Sequence, residues 1–154
     1  MAGTGTVSAL QAALAAEHAA IFGYGVAGAH LTGSSLAAAE RDWTGHNQAR
    51  DTLAAMISRQ GAAPAAARAF YQLPFRVHDA ASAMALAARL EDGVTRAYLG
   101  LVAVSDQRLR HFGAMAMQGA AQRAAFWRGS TQAFPGLSLL AGEQPVVRRG
   151  QPAP

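Results

Sequence analysis

The sequence predicts an all-α protein: four long helices that form one bundle, with a long crossover between the second and third. Alanine, the best helix former, is the commonest residue. Apolar residues recur at spacings of three and four along four long segments, which is the period of an amphipathic helix. No stretch shows the alternation typical of a strand. A chain of 154 residues is long enough to bury one substantial core.

The first half of the chain predicts two helices joined by a short turn. The first helix is expected over residues 7–31, and Gly33 marks its stop. The second helix is expected over residues 36–60, and Gly61 ends it. Because the link is so short, these two helices are predicted to form an antiparallel hairpin.

The second half of the chain predicts a similar hairpin after a long connection. Residues 61–78 contain prolines and an aromatic cluster, which indicates a packed crossover. The third helix is expected over residues 80–104 after the cap Asp79, and the fourth over residues 107–132. Two hairpins joined by one long crossover are the connection pattern of ferritin-like four-helix bundles.

The domain is expected to span residues 7–134, and a Pro- and Gly-rich tail at 135–154 is expected to be extended or disordered. The absence of cysteine excludes disulfides and thiol chemistry. No uninterrupted apolar stretch predicts a membrane span or a signal peptide. The arginines form no basic stripe of the kind that nucleic acid requires. A cytoplasmic protein with no membrane or nucleic-acid partner is therefore expected.

Two glutamates stand alone in apolar helical segments. Glu17 is followed seven residues later by Tyr24, and Glu91 is followed at the same spacing by Tyr98. Burying a carboxylate is costly unless it is paired, hydrogen-bonded or bound to metal. Matching positions in the two halves of the chain predict a shared polar centre inside the bundle, with each tyrosine hydroxyl bonded to a polar partner.

Two buried carboxylates need a positive counter-charge. Arg50 lies one helical turn from His46 on the inward side of the second helix, and its planar guanidinium can bridge two carboxylates. Arg50 is therefore expected to bridge Glu17 and Glu91, and polar residues of the second and fourth helices complete the hydrogen bonds. The predicted polar core consists of Glu17, Tyr24, His46, Arg50, Glu91, Tyr98, Gln118 and Gln122.

The same carboxylates match half of a di-iron pattern. That pattern takes one Glu from each of two helices and Glu-x-x-His from each of the other two. Glu17 and Glu91 supply the first half, but the second helix reads Trp43-x-x-His46. The fourth helix has neither Glu nor His at its middle. A metal-free core is therefore expected, and a single iron or manganese ion held by Glu17, His46 and Glu91 is the alternative.

Four stretches resemble an actinobacterial ferritin-like domain of unknown function. They are residues 10–25, Leu73-Pro74-Phe75, Arg89-Leu90-Glu91 and residues 133–137, and the resemblance spans residues 8–137. That family has no assigned reaction, so the resemblance implies a fold without an activity. The wider superfamily holds di-iron oxidases, iron-storage proteins and rubrerythrins, which implies an ancestral metal site at the glutamates and His46.

Three functions remain open at this point. A metal-free, non-catalytic structural or interaction module without a cofactor is favoured over a metal-dependent oxidase, peroxidase or iron-handling protein with a minimal site. A third function is small-ligand binding in the bundle core, lined by Tyr24, Trp43, Tyr98, Phe112 and Phe126. A homodimer is expected through a face of small residues on the first helix, formed by Ala12, Ala16, Ala19, Ala20 and Gly23.

Overall fold

The computed structural model describes residues 4–132, which form four α-helices and no strand. The helices are α1 (Thr4–Gly28), α2 (Gly33–Arg59), α3 (Ala80–Val102) and α4 (Gln107–Arg128). The predicted all-α class and the four helices are confirmed for this part of the chain. Across the same residues, no helix has the length and apolar character to cross a membrane. The predicted tail at 135–154 lies outside the described residues.

Caps fix where α3 and α4 begin and where α4 ends. Asp79 caps α3 in a capping box with Ser82, whose backbone N–H lies 2.8 Å from the Asp79 Oδ1. Asp106 caps α4 by accepting from two backbone N–H groups of the first turn. Gly129 ends α4 in the left-handed conformation at φ 72°, earlier than the predicted end at residue 132. Gly33, predicted as a stop, is instead the first residue of α2.

Helix α1 packs against α2 and α3, and α3 packs against α4. Helices α2 and α4 make at most marginal backbone contact with each other. Their edge is bridged by side chains, since the Trp127 Nε1 on α4 donates to the Asp42 Oδ2 on α2 at 2.9 Å. The bundle therefore has three tightly packed helix interfaces and one looser edge.

The segment between α2 and α3 lies along α1. The Gln11 side chain donates to the carbonyl of Ala63 at 2.7 Å and accepts from the backbone N–H of Ala65 at 2.9 Å. The Phe70 ring meets the Phe22 ring edge to face at 5.9 Å. These contacts satisfy backbone groups of a segment that has no regular structure of its own.

Helix α4 turns a different face inward from the one predicted. Gln122 and Phe126 were expected in the core but are exposed, and so is Met115. The buried positions are occupied by three small residues, one leucine and one tryptophan: Leu109, Gly113, Ala120, Ala124 and Trp127. Small side chains let α4 approach α3 so closely that a Cβ on Gly113 would lie 2.7 Å from the Leu101 Cβ. Met115 and Phe126 therefore do not mark the core of α4, because its middle packs by close approach of small residues.

Replacing Gly113 with alanine is expected to destabilise the bundle by about 1–3 kcal/mol, because the new methyl group meets the Leu101 Cβ and the Tyr98 carbonyl. Gly45→Ala is the matched control, since Gly45 also lies in a helix but has nothing within 4 Å of an added Cβ. That change should stabilise the protein by about 0.5–1 kcal/mol. Denaturant unfolding of both variants measures the difference, and equal effects would contradict the close approach.

Candidate functional site

A histidine lies between the two buried glutamates. The His46 Nδ1 is 2.6 Å from the Glu17 Oε2, and its Nε2 is 2.9 Å from the Glu91 Oε1. All three side chains are at most 2 % exposed. A neutral imidazole has one N–H, so donating to both carboxylates requires the doubly protonated imidazolium. The structure thus brings the three predicted metal ligands together through direct contacts with one another.

Burial alone would lower the pKa of His46, but its hydrogen bonds to the two carboxylates and their charges outweigh burial and raise the pKa to about 9. Burial alone would raise the pKa of Glu91. The hydrogen bonds and charges of His46 and Arg123 outweigh burial, so the pKa lies below its ordinary value. Both shifts stabilise the charged forms. At neutral pH, His46 is an imidazolium and Glu91 is a carboxylate.

Each tyrosine bonds to the glutamate in the other half of the chain. The Tyr24 hydroxyl donates to the Glu91 Oε1 at 2.7 Å, and the Tyr98 hydroxyl donates to the Glu17 Oε1 at 2.6 Å. Burial, followed by the neighbouring carboxylates, raises the pKa of both tyrosines well above the ordinary value. Both phenols therefore remain protonated and act as donors. The repeated Glu…Tyr spacing makes two reciprocal contacts between α1 and α3.

The second cation of the site is Arg123 on α4, whose Nε donates to the Glu91 Oε1 at 2.9 Å. The expectation that Arg50 supplies this charge is corrected. Arg50 instead bonds to the Asn47 Oδ1 at 2.9 Å and pairs with Asp51 at 2.8 Å, both on its own helix. Its side chain follows the flank of α2 and does not reach the core. The polar cluster consists of Glu17, Tyr24, His46, Glu91, Tyr98 and Arg123.

Asp42 extends the polar cluster toward the edge between α2 and α4. Its Oδ2 accepts from the Trp127 Nε1 at 2.9 Å and lies 3.3 Å from the Tyr24 hydroxyl. Since that hydroxyl has one proton, its shorter bond goes to Glu91. Asp42 and Arg123 were not predicted from the sequence. A signal existed for Asp42, because it lies four residues before His46 and so shares its helix face.

The two predicted amides of α4 lie outside the polar cluster. Gln118 and Gln122 are exposed and line a groove of about 230 Å³ on the outer face of α4, together with Arg128 and Thr131. This position follows from the register of α4, which turns Arg123 inward in place of Gln122. Glutamine therefore takes no part in neutralising the buried carboxylates.

The five aromatic residues predicted to line a ligand cavity do not share one. Tyr24 and Tyr98 are buried and bonded to carboxylates, whereas Trp43 is 44 % exposed and Phe126 is 62 % exposed. Phe112 packs edge to face on Tyr98 at 5.9 Å. The aromatic side chains thus divide between core packing and the outer surface.

The two carboxylate oxygens of Glu91 differ in their hydrogen bonding. Its Oε1 accepts from Tyr24, His46 and Arg123, which lie on the three other helices. Its Oε2 is buried and has no hydrogen-bond partner among residues 4–132. A buried acceptor without a donor is costly. Within the same residues, no group of three or more acidic or histidine side chains is arranged to hold a metal ion.

Both the sequence and the fold match known proteins. A family model described as a domain of unknown function (DUF4439) matches residues 9–139. The chain is similar to the crystal structure of a conserved hypothetical protein from Mycobacterium tuberculosis, with 32 % identity and a TM-score of 0.80. That match covers 84 % of this chain and 98 % of the other. No curated protein matches the sequence. Neither match names an activity.

Arg123→Ala is expected to cost about 1–3 kcal/mol of unfolding free energy, because it removes a donor and a charge from buried Glu91. Arg50→Ala is the matched control: it removes the same side chain from an exposed pair and should change stability by less than about 1 kcal/mol. Chemical denaturation compares the two variants. A larger loss for Arg50→Ala would contradict the assignment of the counter-charge.

Stability should fall as the pH rises from 6.5 to about 9. The folded pKa of His46 is raised above its ordinary 6.5, so its contribution is complete below 6.5 and is lost as the pH passes about 9. The expected loss is about 3 kcal/mol at about 1.4 kcal/mol per pH unit. Glu91, whose pKa is lowered, contributes above its ordinary 4.5, and that contribution is lost as the pH falls further.

Unfolding free energies measured across this pH range test the expected fall in stability. His46→Gln serves as the control, because glutamine cannot acquire the charge and its variant should lose the slope between pH 6.5 and 9. A wild-type curve that is flat over that interval would show that His46 does not bridge the glutamates as an imidazolium.

Proposed function

The chain belongs to the DUF4439 family, and from that premise we propose that it is a ferritin-like bundle in which two side-chain cations replace metal ions, acting as a non-catalytic structural or interaction module. The observation that carries this proposal is the position of His46, whose two ring nitrogens are each bonded to a buried carboxylate.

The directions of the helices support a ferritin-like topology. Residues 17 and 24 of α1 meet residues 98 and 91 of α3, in reverse order, so these helices run antiparallel. They also meet residues 46 and 42 of α2 in reverse order. Helices α2 and α3 therefore run the same way, and their connection must travel the length of the bundle.

The connecting residues 60–79 are long enough for that path. Helix α2 is about 40 Å long at 1.5 Å per residue. The connection can span up to about 65 Å when fully extended. Its contacts with Gln11 and Phe22 follow α1, as a crossover of this kind requires.

The residues present do not fit a dinuclear metal centre. Such a centre needs a carboxylate three residues before the histidine of α2, but Trp43 occupies that position and is exposed. In α4, Arg123 turns toward the carboxylates where ligands are required, and a guanidinium does not bind metal. As an imidazolium, His46 has no lone pair left to donate.

The charges of the polar cluster balance without metal. Glu17 and Glu91 carry two negative charges, and His46 and Arg123 carry two positive charges. Removing one partner of a buried ion pair is strongly destabilising, whereas a complete set is tolerated. This balance supports a static, self-neutralised core whose role is to hold four helices in one arrangement.

A single bound cation is the second candidate. It is favoured by the Glu91 Oε2, a buried carboxylate oxygen with no donor among the described residues. Glu17, His46 and Glu91 would hold an iron or manganese ion, and that oxygen would be available to it as a ligand. His46 would have to lose a proton first. A minimal oxidase, peroxidase or iron-handling site would follow from such an ion.

Elemental analysis of protein purified without chelator distinguishes the two candidates. A metal-free core predicts no stoichiometric iron or manganese, and an unfolding temperature that neither EDTA nor added Fe²⁺ or Mn²⁺ changes, because no ion binds the native state. Glu17→Ala is the control for any metal that is found. Stoichiometric metal in the wild type that is lost in Glu17→Ala would overturn the metal-free proposal and establish the single-cation site.

A further inference from the structure

The outer face of α4 carries no formal charge over most of its length. The exposed positions between residues 111 and 126 are His111, Met115, Gln118, Gln122 and Phe126. Their spacing of three and four residues places them on one stripe of the helix. The one charged residue in this stretch, Arg123, turns away to Glu91. The exposed face of α2, by contrast, carries charged residues, namely Glu40, Arg41 and Asp51.

Two large apolar side chains stand near the ends of this stripe. Met115 is 55 % exposed and Phe126 is 62 % exposed. The Phe126 ring packs edge to face on buried Trp127, with ring centroids 5.0 Å apart, so its position is held by the core. Methionine and aromatic residues are enriched in the centres of protein interfaces, and charged residues are depleted there.

We propose that this face of α4 binds the same face of a second copy of the chain, with the two α4 helices antiparallel across a twofold axis. A twofold contact requires a self-complementary surface. From Met115 to Phe126 the stripe reads nearly the same in both directions: an apolar residue, a glutamine, a glutamine and an apolar residue. With the axis near the level of Ala121, Met115 meets the partner's Phe126, and Gln118 meets the partner's Gln122.

The chemistry of each pair suits burial. Met115 and the partner's Phe126 bury apolar surface, and methionine adapts its shape to an aromatic ring. The glutamine amides can donate to and accept from each other, so neither is left without a partner. The two arginines that border the stripe, Arg123 and Arg128, are each paired with a carboxylate of their own chain. Ala121 and Ala125, which flank the glutamines, leave room for the second helix to approach.

The size of the surface indicates a reversible dimer. Helix α4 is about 33 Å long, and one helix face buries less than the roughly 800 Å² per partner of a standard interface. The α1 face considered for this role is partly used inside the chain, since Ala20 is buried and Gly23 packs against Leu90. The α4 stripe contains no residue of the polar cluster, so this interface does not depend on whether metal binds.

The test uses the full chain over a concentration series, with mass measured by analytical ultracentrifugation. Met115→Asp and Phe126→Arg should each weaken dimerisation by at least about 10-fold, because each places a charge against an apolar partner. Mixing the two variants in equal amounts should restore the dimer. The introduced carboxylate then faces the introduced guanidinium, and the second contact keeps its original Met115–Phe126 pair.

Leu99→Asp and Phe70→Arg are matched controls, because they also place a charge at an exposed apolar residue, but on α3 and on the connecting segment. They should leave dimerisation unchanged, and circular dichroism checks that every variant is folded. A wild type that is monomeric at every concentration would overturn the proposal. Variants that dimerise like the wild type, a mixture that stays monomeric, or controls that dissociate would overturn it as well.

Discussion

The structure depends on one electrostatic constraint: two carboxylates that are almost wholly buried must be neutralised within the bundle. His46 meets this requirement from α2 with both ring nitrogens, and Arg123 meets it from α4 with its Nε. Each glutamate also accepts a hydrogen bond from the tyrosine in the other half of the chain. Because Glu91 accepts from three other helices through one oxygen, the position of each helix is tied to the other three. A metal ion would impose the same constraint through coordination bonds, and here charged hydrogen bonds impose it.

Burial acts differently on the pKa of His46 and on the pKa values of the two tyrosines. For His46, burial and the carboxylates act in opposite directions, and the carboxylates prevail. For the tyrosines, burial and the carboxylates act in the same direction, so the phenols stay neutral. The result is a fixed set of protonation states at neutral pH, with two anions, two cations and two neutral donors. Such a set holds the bundle in one arrangement, since any shift of a helix would leave a buried charge without its partner.

The sequence predicted the helices and, within the polar cluster, both glutamates, both tyrosines and His46, but not Arg123. Glu17, Glu91 and His46 are conspicuous because a polar residue in an apolar helix needs a partner. Helix α3 was easy to orient, since residues such as Val94, Tyr98 and Leu101 are both apolar and buried. In α4 the buried face is made mostly of glycine and alanine, which carry little hydrophobic signal. The sequence pattern therefore does not indicate which face of α4 is buried or that Arg123 turns toward Glu91. Arg50 and Arg123 look alike in sequence and their side chains are equally exposed, at 33 % and 34 %; they differ in the burial of the carboxylate that each one meets.

The edge between α2 and α4 differs from the three packed interfaces, because side chains such as Asp42 and Trp127 bridge it with little backbone contact. Regions with few buried contacts open at the lowest free energy. We expect local opening to begin along this edge, next to the bond between Asp42 and Trp127. An opening there would let the imidazole proton of His46 exchange with solvent without global unfolding.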